Sequence, residues 1–494
     1  MTNPLSPFAT DRAEQPRPAG RAQAAPAPVE PGLPLLICAS HREPWTQRRV
    51  GHAELTVRTT GGLVTALDAA LRRLGGRWIA TGSEPRRSRA PEDEDGATYE
   101  VEQLGLTTRE MDGYYSGFSN GVLWPLFHYF LGRVNFDARE WREYERVNAR
   151  FAAAVARGLE ESDGAVAWVH DYHLTLAPMM IRKLRPHARV GFFLHTPFPA
   201  FEVFRILPTR QQLLEGLLGA DLVGFHTRSY RDAFLEAVQK LVGARSDRRG
   251  AVEYRGHRTR TLFSPIGVDV ERLSALGQDP RTTSKAQRLR RSVPGDQIVL
   301  GIDRLDYSKG ILERLAGFER LLERQPRYRG HVTLVQIAVP SRERISDYQR
   351  LKRDVDGAVG RLEGRYGDAA WSPVRYITRS FQPDDLAAWY RAADICLVTP
   401  LRDGLNLVAK EYVACRVDGG GALVLSEFCG AAEELTGAYF ANPFGPDSIA
   451  DALEQALTDD RMERERRMAH LREEVVGNDV HEWAQGFLRD LAQG

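Results

Sequence analysis

Short apolar runs alternate with helical patterns from Leu33 onward, and this alternation limits the fold more than any other feature of the 494-residue chain. Strands that are separated by helices pair in parallel and are covered by helices on both faces. Two such series occur, and each predicts a Rossmann-like α/β domain with a parallel sheet. The runs of the first series are 35–39, 165–169, 190–194 and 221–225; those of the second are 298–302, 332–338, 374–377, 395–398 and 422–425.

The chain is too long for one ordinary core, so two domains that face each other across a cleft are expected. The first is expected at 33–277 and the second at 278–465, with the polar segment 278–285 as a hinge. Residues 1–32 are rich in Pro, Ala and Arg and predict a disordered tail. Residues 466–494 are expected to form a helical segment that packs back on the N-terminal domain.

Charge and composition exclude several classes of function. A net charge of +1 argues against a nucleic-acid partner, because such binding needs a concentrated basic surface. No apolar stretch has the length of a signal peptide or a membrane span, so no membrane partner is expected. The four cysteines show no CxxC spacing, which fits a reducing cytoplasm better than a disulfide or zinc framework.

Polar side chains follow strand after strand, and in open α/β sheets ligands bind beyond the carboxyl ends of the strands. Any one of these residues could be a cap or a solvated loop charge. So many on the same edge favour a binding site. They are Ser40, His41, Arg42, His170, Asp171, His195, Arg304, Lys309, Arg342, Arg402 and Asp403.

Arg304 and Lys309 flank a predicted helix N-terminus, since the strand at 298–302 is followed by a loop and by an apolar face that begins at Ile311. Free amides and the positive dipole end at such a site favour an anion, and two cations beside it suit a diphosphate. The alternative is a pair of surface cations that bind nothing.

A second strand-to-helix turn follows 395–398. There, the amides of Leu407 and Val408 at the start of a helix can donate to a phosphate. Asp403 can accept hydrogen bonds from sugar hydroxyls, and Glu411 can accept them from the two hydroxyls of a ribose. The alternative is a turn aspartate with Asn406 as a helix cap.

Two further segments give weaker signals. Gly61 and Gly62 precede a helical stretch and permit close approach of the backbone to a phosphate. The aromatic segment 114–125 fits a carbohydrate pocket and a packed core equally well.

Motifs of other enzyme classes are absent or unconvincing. No GxxxxGK[ST] phosphate loop is present. Asp354 and Asp356 lie on an amphipathic helical pattern and should face solvent. His170 and His173 have no partner cluster with metal-site spacing. Neither a metal nor another cofactor is therefore expected.

Four long motifs resemble those of the trehalose-6-phosphate synthase family, glycosyltransferase family 20, in sequence and in order. They are WVHDYHL at 168–174, GFFLHTPFP at 191–199, RLDYSKG at 304–310 and RDGLNLVAKEYV at 402–413. The resemblance implies a GT-B fold, a nucleotide diphosphate glucose donor (UDP-glucose is expected), transfer with retention of anomeric configuration, and glucose 6-phosphate as acceptor.

The resemblance also implies a role for individual residues. Arg304 and Lys309 would hold the diphosphate, Phe381 the base region, and Gly61 and Gly62 the phosphate from the opposite domain. His195 and Asp403 would bind the glucosyl hydroxyls, and Trp124 would help to fix the anomeric outcome. The diphosphate and ribose would also contact Leu407, Val408, Ala409, Lys410 and Glu411; the acceptor and its phosphate would contact Arg42, Tyr115, Asp171 and Arg342.

Two departures from the family pattern lie in the N-terminal half. His41 stands where the family usually has Asn, and Thr81 where a second Trp is common. A histidine in this loop resembles glucosylglycerol-phosphate synthases, so a polyol phosphate, glycerol 3-phosphate, is the alternative acceptor. A non-catalytic regulator that binds sugar phosphate is a third hypothesis, and the complete set of donor residues argues against it. Whether protomers form a homo-oligomer is left open.

Overall fold

The computed structural model describes residues 34–50, 53–59, 61–93, 96–342 and 345–493. The predicted tail at 1–32 lies outside these ranges. Most of the described chain forms two α/β units. Each unit is a mainly parallel sheet with helices packed against it.

The first half of the chain forms a sheet of ten strands, and β2 and β3 pair separately as a hairpin. The spatial order is β10-β11-β12-β9-β8-β7-β1-β4-β6-β5, parallel from β12 to β6 and antiparallel at both edges. The four predicted strands are β1, β7, β8 and β9, each correct to within one residue. The strands are β1 Leu36–Ala39, β2 Trp45–Val50, β3 Ala53–Arg58, β4 Arg77–Gly82, β5 Arg86–Arg89, β6 Glu100–Gly105, β7 Val166–His170, β8 Val190–Phe193, β9 Leu222–Phe225, β10 Arg245–Ser246, β11 Val252–Tyr254 and β12 His257–Phe263.

The second half forms a sheet of six parallel strands in the order β15-β14-β13-β16-β17-β18. Strands β13 to β17 are the five predicted strands. Strands β13, β14, β16 and β17 are almost fully buried, as expected for a sheet covered on both faces, whereas the edge strand β15 is partly exposed. The strands are β13 Gln297–Arg304, β14 Val332–Val339, β15 Val374–Ile377, β16 Ile395–Val398, β17 Ala422–Ser426 and β18 Tyr439–Ala441.

Helices connect the strands and cover both sheets. Between α2 and α3 the chain stays helical through π-type turns at Met111–Leu123, which carry the aromatic segment. Among the described helices, none is long and apolar enough to cross a membrane. The helices are α1 Gly62–Leu74, α2 Thr108–Glu110, α3 Trp124–Phe127, α4 Ala138–Glu161, α5 Ala177–Leu184, α6 Phe201–Phe204, α7 Arg210–Leu217, α8 Arg228–Val242, α9 Val270–Gln278, α10 Pro280–Ser292, α11 Ile311–Arg324, α12 Ser346–Tyr366, α13 Pro383–Ala392, α14 Leu407–Cys415, α15 Pro446–Thr458, α16 Arg461–Gly477 and α17 Val480–Gln493.

The polar segment 278–285, predicted as a hinge, is instead helical on both sides of Asp279. The Asp279 carboxylate accepts a hydrogen bond from the amide of Arg281 and so caps α10. Pro280, with no amide hydrogen to satisfy, is suited to the first helical position. These two residues begin a new helix within the segment that polarity predicted as a hinge.

The last two helices pack on different halves of the molecule. Helix α16 lies against α14, where the Arg472 guanidinium donates to the carbonyl oxygens of Val413 and Ala414. Helix α17 returns to the first sheet: the ring of Phe487 stacks on Trp168 with centroids 4.6 Å apart. The chain therefore crosses from the second half back to the first near residues 478–479.

Candidate active site

A cavity of about 380 Å³ lies between the carboxyl ends of the two sheets. Both halves of the chain contribute to its walls. The predicted site residues that line it are Arg42, Gly61, Gly62, Tyr115, Trp124, Asp171, His195, Arg304, Lys309, Arg342, Phe381, Asp403, Leu407, Val408 and Glu411.

Two predicted site residues, Ala409 and Lys410, do not line the cavity. Ala409 is buried in α14. The Lys410 side chain is also fully buried, and its ammonium donates to the carbonyl oxygen of Ile266 and to the Glu434 carboxylate, both at 2.9 Å. Lys410 thus ties α14 to the first half of the molecule, and its side chain is not available to a diphosphate in the cavity.

Lys309 and Asp403 form a buried ion pair in the wall of the cavity. Lys309 ends a short 3₁₀ turn, Tyr307–Lys309, which Asp306 caps by accepting from the amide of Ser308 at 3.0 Å. Asp403 also accepts from the side-chain amide of Asn406 at 3.1 Å. Burial raises the pKa of Asp403, but the Lys309 charge and the hydrogen bonds from Lys309 and Asn406 together outweigh it and hold the pKa below its usual value. Asp403 is therefore a carboxylate that can accept from ligand hydroxyls.

The N-terminus of α14 opens into the cavity through Leu407 and Val408. Amides in the first turn of a helix have no partner within the helix, so they can donate to an anion. Glu411, one turn further along, accepts from the Tyr390 hydroxyl at 2.7 Å, and burial raises its pKa. This wall can bind an anion and, next to it, a pair of hydroxyl groups.

Trp124 is a platform for two cations. The guanidinium carbons of Arg304 and Arg342 lie 5.6 Å and 4.3 Å from its ring centroid. Arg342 is held by the Asp306 carboxylate at 2.8 Å and has a positive φ of 50°. Such backbone strain persists where surrounding contacts fix it, as here. The two guanidinium groups thus bring positive charge to the centre of the cavity.

Tyr115 lies beside Arg42 and Arg342 on the first-half side of the cavity. Burial opposes ionisation of its hydroxyl, but the two guanidinium groups outweigh burial and lower the pKa of Tyr115 to about 7. A group of two cations and an ionisable phenol is suited to an anionic ligand such as a phosphate.

Asp171 and His195 meet at the ends of β7 and β8. The amide of His195 donates to the Asp171 carboxylate at 3.2 Å, and burial raises the pKa of Asp171 to about 6. Nε2 of His195 lies 3.1 Å from Nδ1 of His170. Burial lowers the pKa of His195 to about 3, so the His195 ring is neutral. Within the described residues, no group of three or more His, Cys, Asp or Glu side chains is placed to hold a metal ion.

Further cavity residues carry buried polar atoms that have no hydrogen-bond partner in the described part of the chain. Of these residues, His41 is one of the strand-end residues that the sequence predicts at the site. His173 and Thr196 adjoin predicted residues, and Asn406 fits the pattern of a helix cap. His128 follows the aromatic segment, where nothing in the pattern separates a pocket from a core. These atoms are Nδ1 of His41, Oγ1 of Thr59, Nε2 of His128, both ring nitrogens of His173, Oγ1 of Thr196 and Oδ1 of Asn406.

The two departures from the family pattern contact each other. The hydroxyl of Thr81 donates to the carbonyl oxygen of His41 at 2.7 Å. The His41 ring stacks on Tyr115 with centroids 4.2 Å apart, and burial lowers its pKa to about 3. Of the two, only His41 lines the cavity.

Known proteins with the same architecture are similar over nearly the whole chain. The model of glycosyltransferase family 20 matches residues 36–493. A trehalose-6-phosphate synthase of Mycobacterium sp. (strain JLS) is 42% identical over 467 residues, which are 92% of this chain and 96% of that protein.

Solved structures agree with this result. An alpha,alpha-trehalose-phosphate synthase (UDP-forming) from Burkholderia xenovorans, in complex with glucose-6-phosphate, has a TM-score of 0.84 at 35% identity and covers 93% of this chain and 100% of its own. A second solved structure, from E. coli and with bound UDP-2-fluoro glucose, has a TM-score of 0.82 at 36% identity. It covers 93% of this chain and 99% of its own. The chain therefore belongs to glycosyltransferase family 20 and has the GT-B fold that its motifs predicted.

Proposed function

We propose that this protein is a trehalose-6-phosphate synthase, which transfers the glucosyl unit of UDP-glucose to glucose 6-phosphate and releases UDP. One observation carries the proposal: a single cavity joins the Lys309–Asp403 pair, the α14 N-terminus and Arg342 of the second half to Arg42 and Tyr115 of the first half. The relatives with bound glucose-6-phosphate and UDP-2-fluoro glucose support both substrates.

The donor would lie against the second half. The α14 amides, Arg304 and Lys309 offer positive charge to the diphosphate, and Glu411 can accept from the ribose hydroxyls. Phe381 lines the same wall and would contact the base. Gly61 and Gly62 would approach the phosphates from the first half, where Gly62 lies so close to Leu407 that a Cβ would come within 2.8 Å of its side chain.

The main barrier is departure of the diphosphate from a carbon that becomes oxocarbenium-like. Cations placed at the leaving oxygen stabilise that charge as it develops, and Arg304 and Lys309 supply them. The bond from the anomeric carbon to the diphosphate oxygen breaks, and a bond to the acceptor hydroxyl oxygen forms on the same face. The acceptor proton passes to the leaving phosphate oxygen, so no enzymic nucleophile is required. Trp124, beneath the two guanidinium groups, would shape that face.

The acceptor would lie against the first half. Arg42, with Arg342 reaching in from the second half, suits its phosphate; Tyr115 can donate to that phosphate, and the Asp171 carboxylate can accept from the hydroxyls. His41 touches this region through its stacking on Tyr115, so the alternative acceptor, glycerol 3-phosphate, should be compared directly.

The test is a matrix of UDP-, ADP- and GDP-glucose against glucose 6-phosphate and glycerol 3-phosphate. Mass spectrometry and NMR of the phosphorylated product identify the acceptor and the anomeric configuration. We expect α,α-trehalose 6-phosphate from UDP-glucose and glucose 6-phosphate. A glycerol conjugate as the main product would reassign the acceptor, and no nucleotide release with any pair would favour the non-catalytic hypothesis.

A further inference from the structure

His128 lies directly after α3 and lines the cavity, and the proposed mechanism gives it no role. Its side chain is only 2% exposed and is part of the cavity wall. Its ring lies against that of Trp124, with centroids 4.0 Å apart. Asp403, Lys309 and Asp306 are close enough for their charges to shift the pKa of His128. His128 thus faces the part of the cavity where the proposed donor sugar meets the Lys309–Asp403 pair.

The contact with Trp124 fixes the tautomer of His128. Its Nδ1 is 2.8 Å from the backbone carbonyl oxygen of Trp124. A carbonyl oxygen can only accept, so Nδ1 must carry the proton. Burial lowers the pKa of His128 to about 3, and the ring is neutral at neutral pH. Nε2 therefore presents a lone pair and can only accept a hydrogen bond.

That lone pair has no partner within the described residues, although the atom is buried. Buried polar atoms are nearly always satisfied, so an unsatisfied one in a cavity wall indicates a ligand group. The partner must be a donor. Phosphate oxygens and the Asp403 carboxylate are acceptors, which leaves the sugar hydroxyls as the matching chemistry.

We infer that Nε2 of His128 accepts a hydrogen bond from a hydroxyl of the transferred glucosyl unit, beside Asp403 and Lys309, and so helps to determine which sugar the donor site takes. This inference rests on the proposed function. One ring then has two tasks: its Nδ1 holds the backbone of Trp124, and its Nε2 recognises the sugar. A donor without the matching hydroxyl would leave Nε2 unsatisfied, which is how a polar site rejects deoxy analogues.

Two variants separate these tasks. His128→Asn places an amide nitrogen near the Nδ1 position and can keep the bond to Trp124, but it has nothing at the Nε2 position. His128→Gln reaches the Nε2 position with an amide oxygen and loses the bond to Trp124. Each protein is assayed with UDP-glucose and with the four UDP-monodeoxyglucoses that lack the 2-, 3-, 4- or 6-hydroxyl.

For the wild type we expect one deoxy donor to lose at least about tenfold in kcat/KM relative to UDP-glucose. His128→Asn should lose a similar factor with UDP-glucose and show no further penalty for that one donor, while its ratios for the other three stay as in the wild type. His128→Gln should recover part of the discrimination. Each ratio compares two donors on one preparation, so a partly unfolded variant gives the same ratio.

Equal deoxy penalties in the wild type and in His128→Asn at all four positions would overturn the inference and leave His128 as a support for Trp124 alone. If the wild type forms no glucosyl product, the proposed function fails separately. Calorimetric titration of the same five donors into the wild type and His128→Asn then gives the corresponding binding ratios, and equal ratios there would again overturn the inference.

Discussion

Lys309 and Lys410 are both lysines near a helix N-terminus that follows a strand, and both are buried in the structure. Their partners differ. Lys309 pairs with Asp403 in the cavity wall, whereas Lys410 bonds to Glu434 and to the backbone of the other half, away from the cavity. The sequence places both near a predicted phosphate site, and only the direction of the side chain separates a substrate contact from a structural one.

Replacing Lys309 tests the leaving-group role. Lys309→Ala should lower kcat by a factor of about a hundred to a thousand, because one charge-stabilising donor is lost. Lys410→Met is the matched control: it leaves Glu434 without its cation and should cost about 3–5 kcal/mol of stability while kcat of the folded protein stays within a few-fold. Steady-state kinetics and thermal melting measure both. Unchanged turnover in Lys309→Ala would contradict the assigned role.

Tyr115 should make acceptor binding pH-dependent. Its pKa is about 7, so above that pH the free site holds a phenolate that competes with the acceptor phosphate for Arg42 and Arg342. The KM for glucose 6-phosphate should therefore rise above pH 7, by up to about tenfold per pH unit, since binding requires uptake of one proton. Below pH 7 the hydroxyl is neutral and this effect disappears. Tyr115→Phe should give a KM that stays level from pH 7 to 9, and parallel curves for the two proteins would contradict the prediction.

The sequence predicts residues that follow strands better than residues in helical segments. Arg42, Asp171, His195, Arg304 and Asp403 follow strands, and parallel strands bring their carboxyl ends to one edge. His128 follows a stretch that is helical throughout, in which periodicity marks several buried residues and does not show which polar atom faces a cavity. The unsatisfied Nε2 becomes visible only when its neighbours are placed.

At the scale of elements, the predicted strands are mostly buried apolar runs, whereas β5, β6 and β12, which contain several charged or polar residues, were not predicted. Strands β7 and β16 are short apolar runs, which the sequence shows directly. Strand β5, by contrast, is the exposed run RRSR at the sheet edge, and only its pairing with β6 makes it a strand. The expected hinge is helical because Asp279 and Pro280 start α10. Local polarity therefore predicts exposure better than it predicts loops.

Two loops from opposite halves meet at Gly404. It lies in the loop between β16 and α14, and a Cβ at this position would come 2.0 Å from the carbonyl oxygen of His195, in the loop after β8. Gly404→Ala should push the two loops apart and lower kcat/KM by about a hundredfold, as expected for a displacement near 1 Å in a catalytic cavity.

The matched control is Gly360→Ala, in an exposed part of α12 where a Cβ would meet nothing within 4 Å. It should leave the kinetics unchanged and stabilise the protein by about 0.5–1 kcal/mol, because alanine favours a helix over glycine. Steady-state kinetics and thermal melting of Gly404→Ala and Gly360→Ala measure both effects. A fully active Gly404→Ala enzyme would show that the two loops need not approach this closely during turnover.

For the whole molecule, the two halves are joined by contacts around the cavity and by the return of α17. Arg133 pairs with Asp347 at 2.7 Å, Ser229 donates to Glu433 at 3.2 Å, and the Tyr230 hydroxyl donates to the carbonyl oxygen of Asp403 at 3.1 Å. Such polar links can break and re-form as substrates enter and leave. Residues of α17 do not line the cavity, and the apolar packing of this helix on the first sheet is expected to be permanent.

Phe487 of α17 contacts three neighbouring strands of the first sheet, β7, β8 and β9. It is buried between Trp168 and the strands β8 and β9, where Gly191 and Gly224 leave room for its ring. Phe487→Ala should cost about 3–5 kcal/mol, since the cavity it leaves lies between rigid strands and cannot collapse fully. Arg489→Ala, on the exposed face of the same helix, should change stability by less than about 0.5 kcal/mol.

Denaturant unfolding followed by tryptophan fluorescence measures both variants, because Trp168 and Trp483 lie in this contact. Hydrogen exchange then locates the loss. Amides of β8 and β9 in the first sheet should lose protection in Phe487→Ala, while those of β13 and β14 in the second keep it, because α17 does not cover the second sheet. Equal loss of amide protection in both sheets would mean that the two halves unfold as one unit. The packing of α17 on the first sheet would then be one of several contacts that couple the halves.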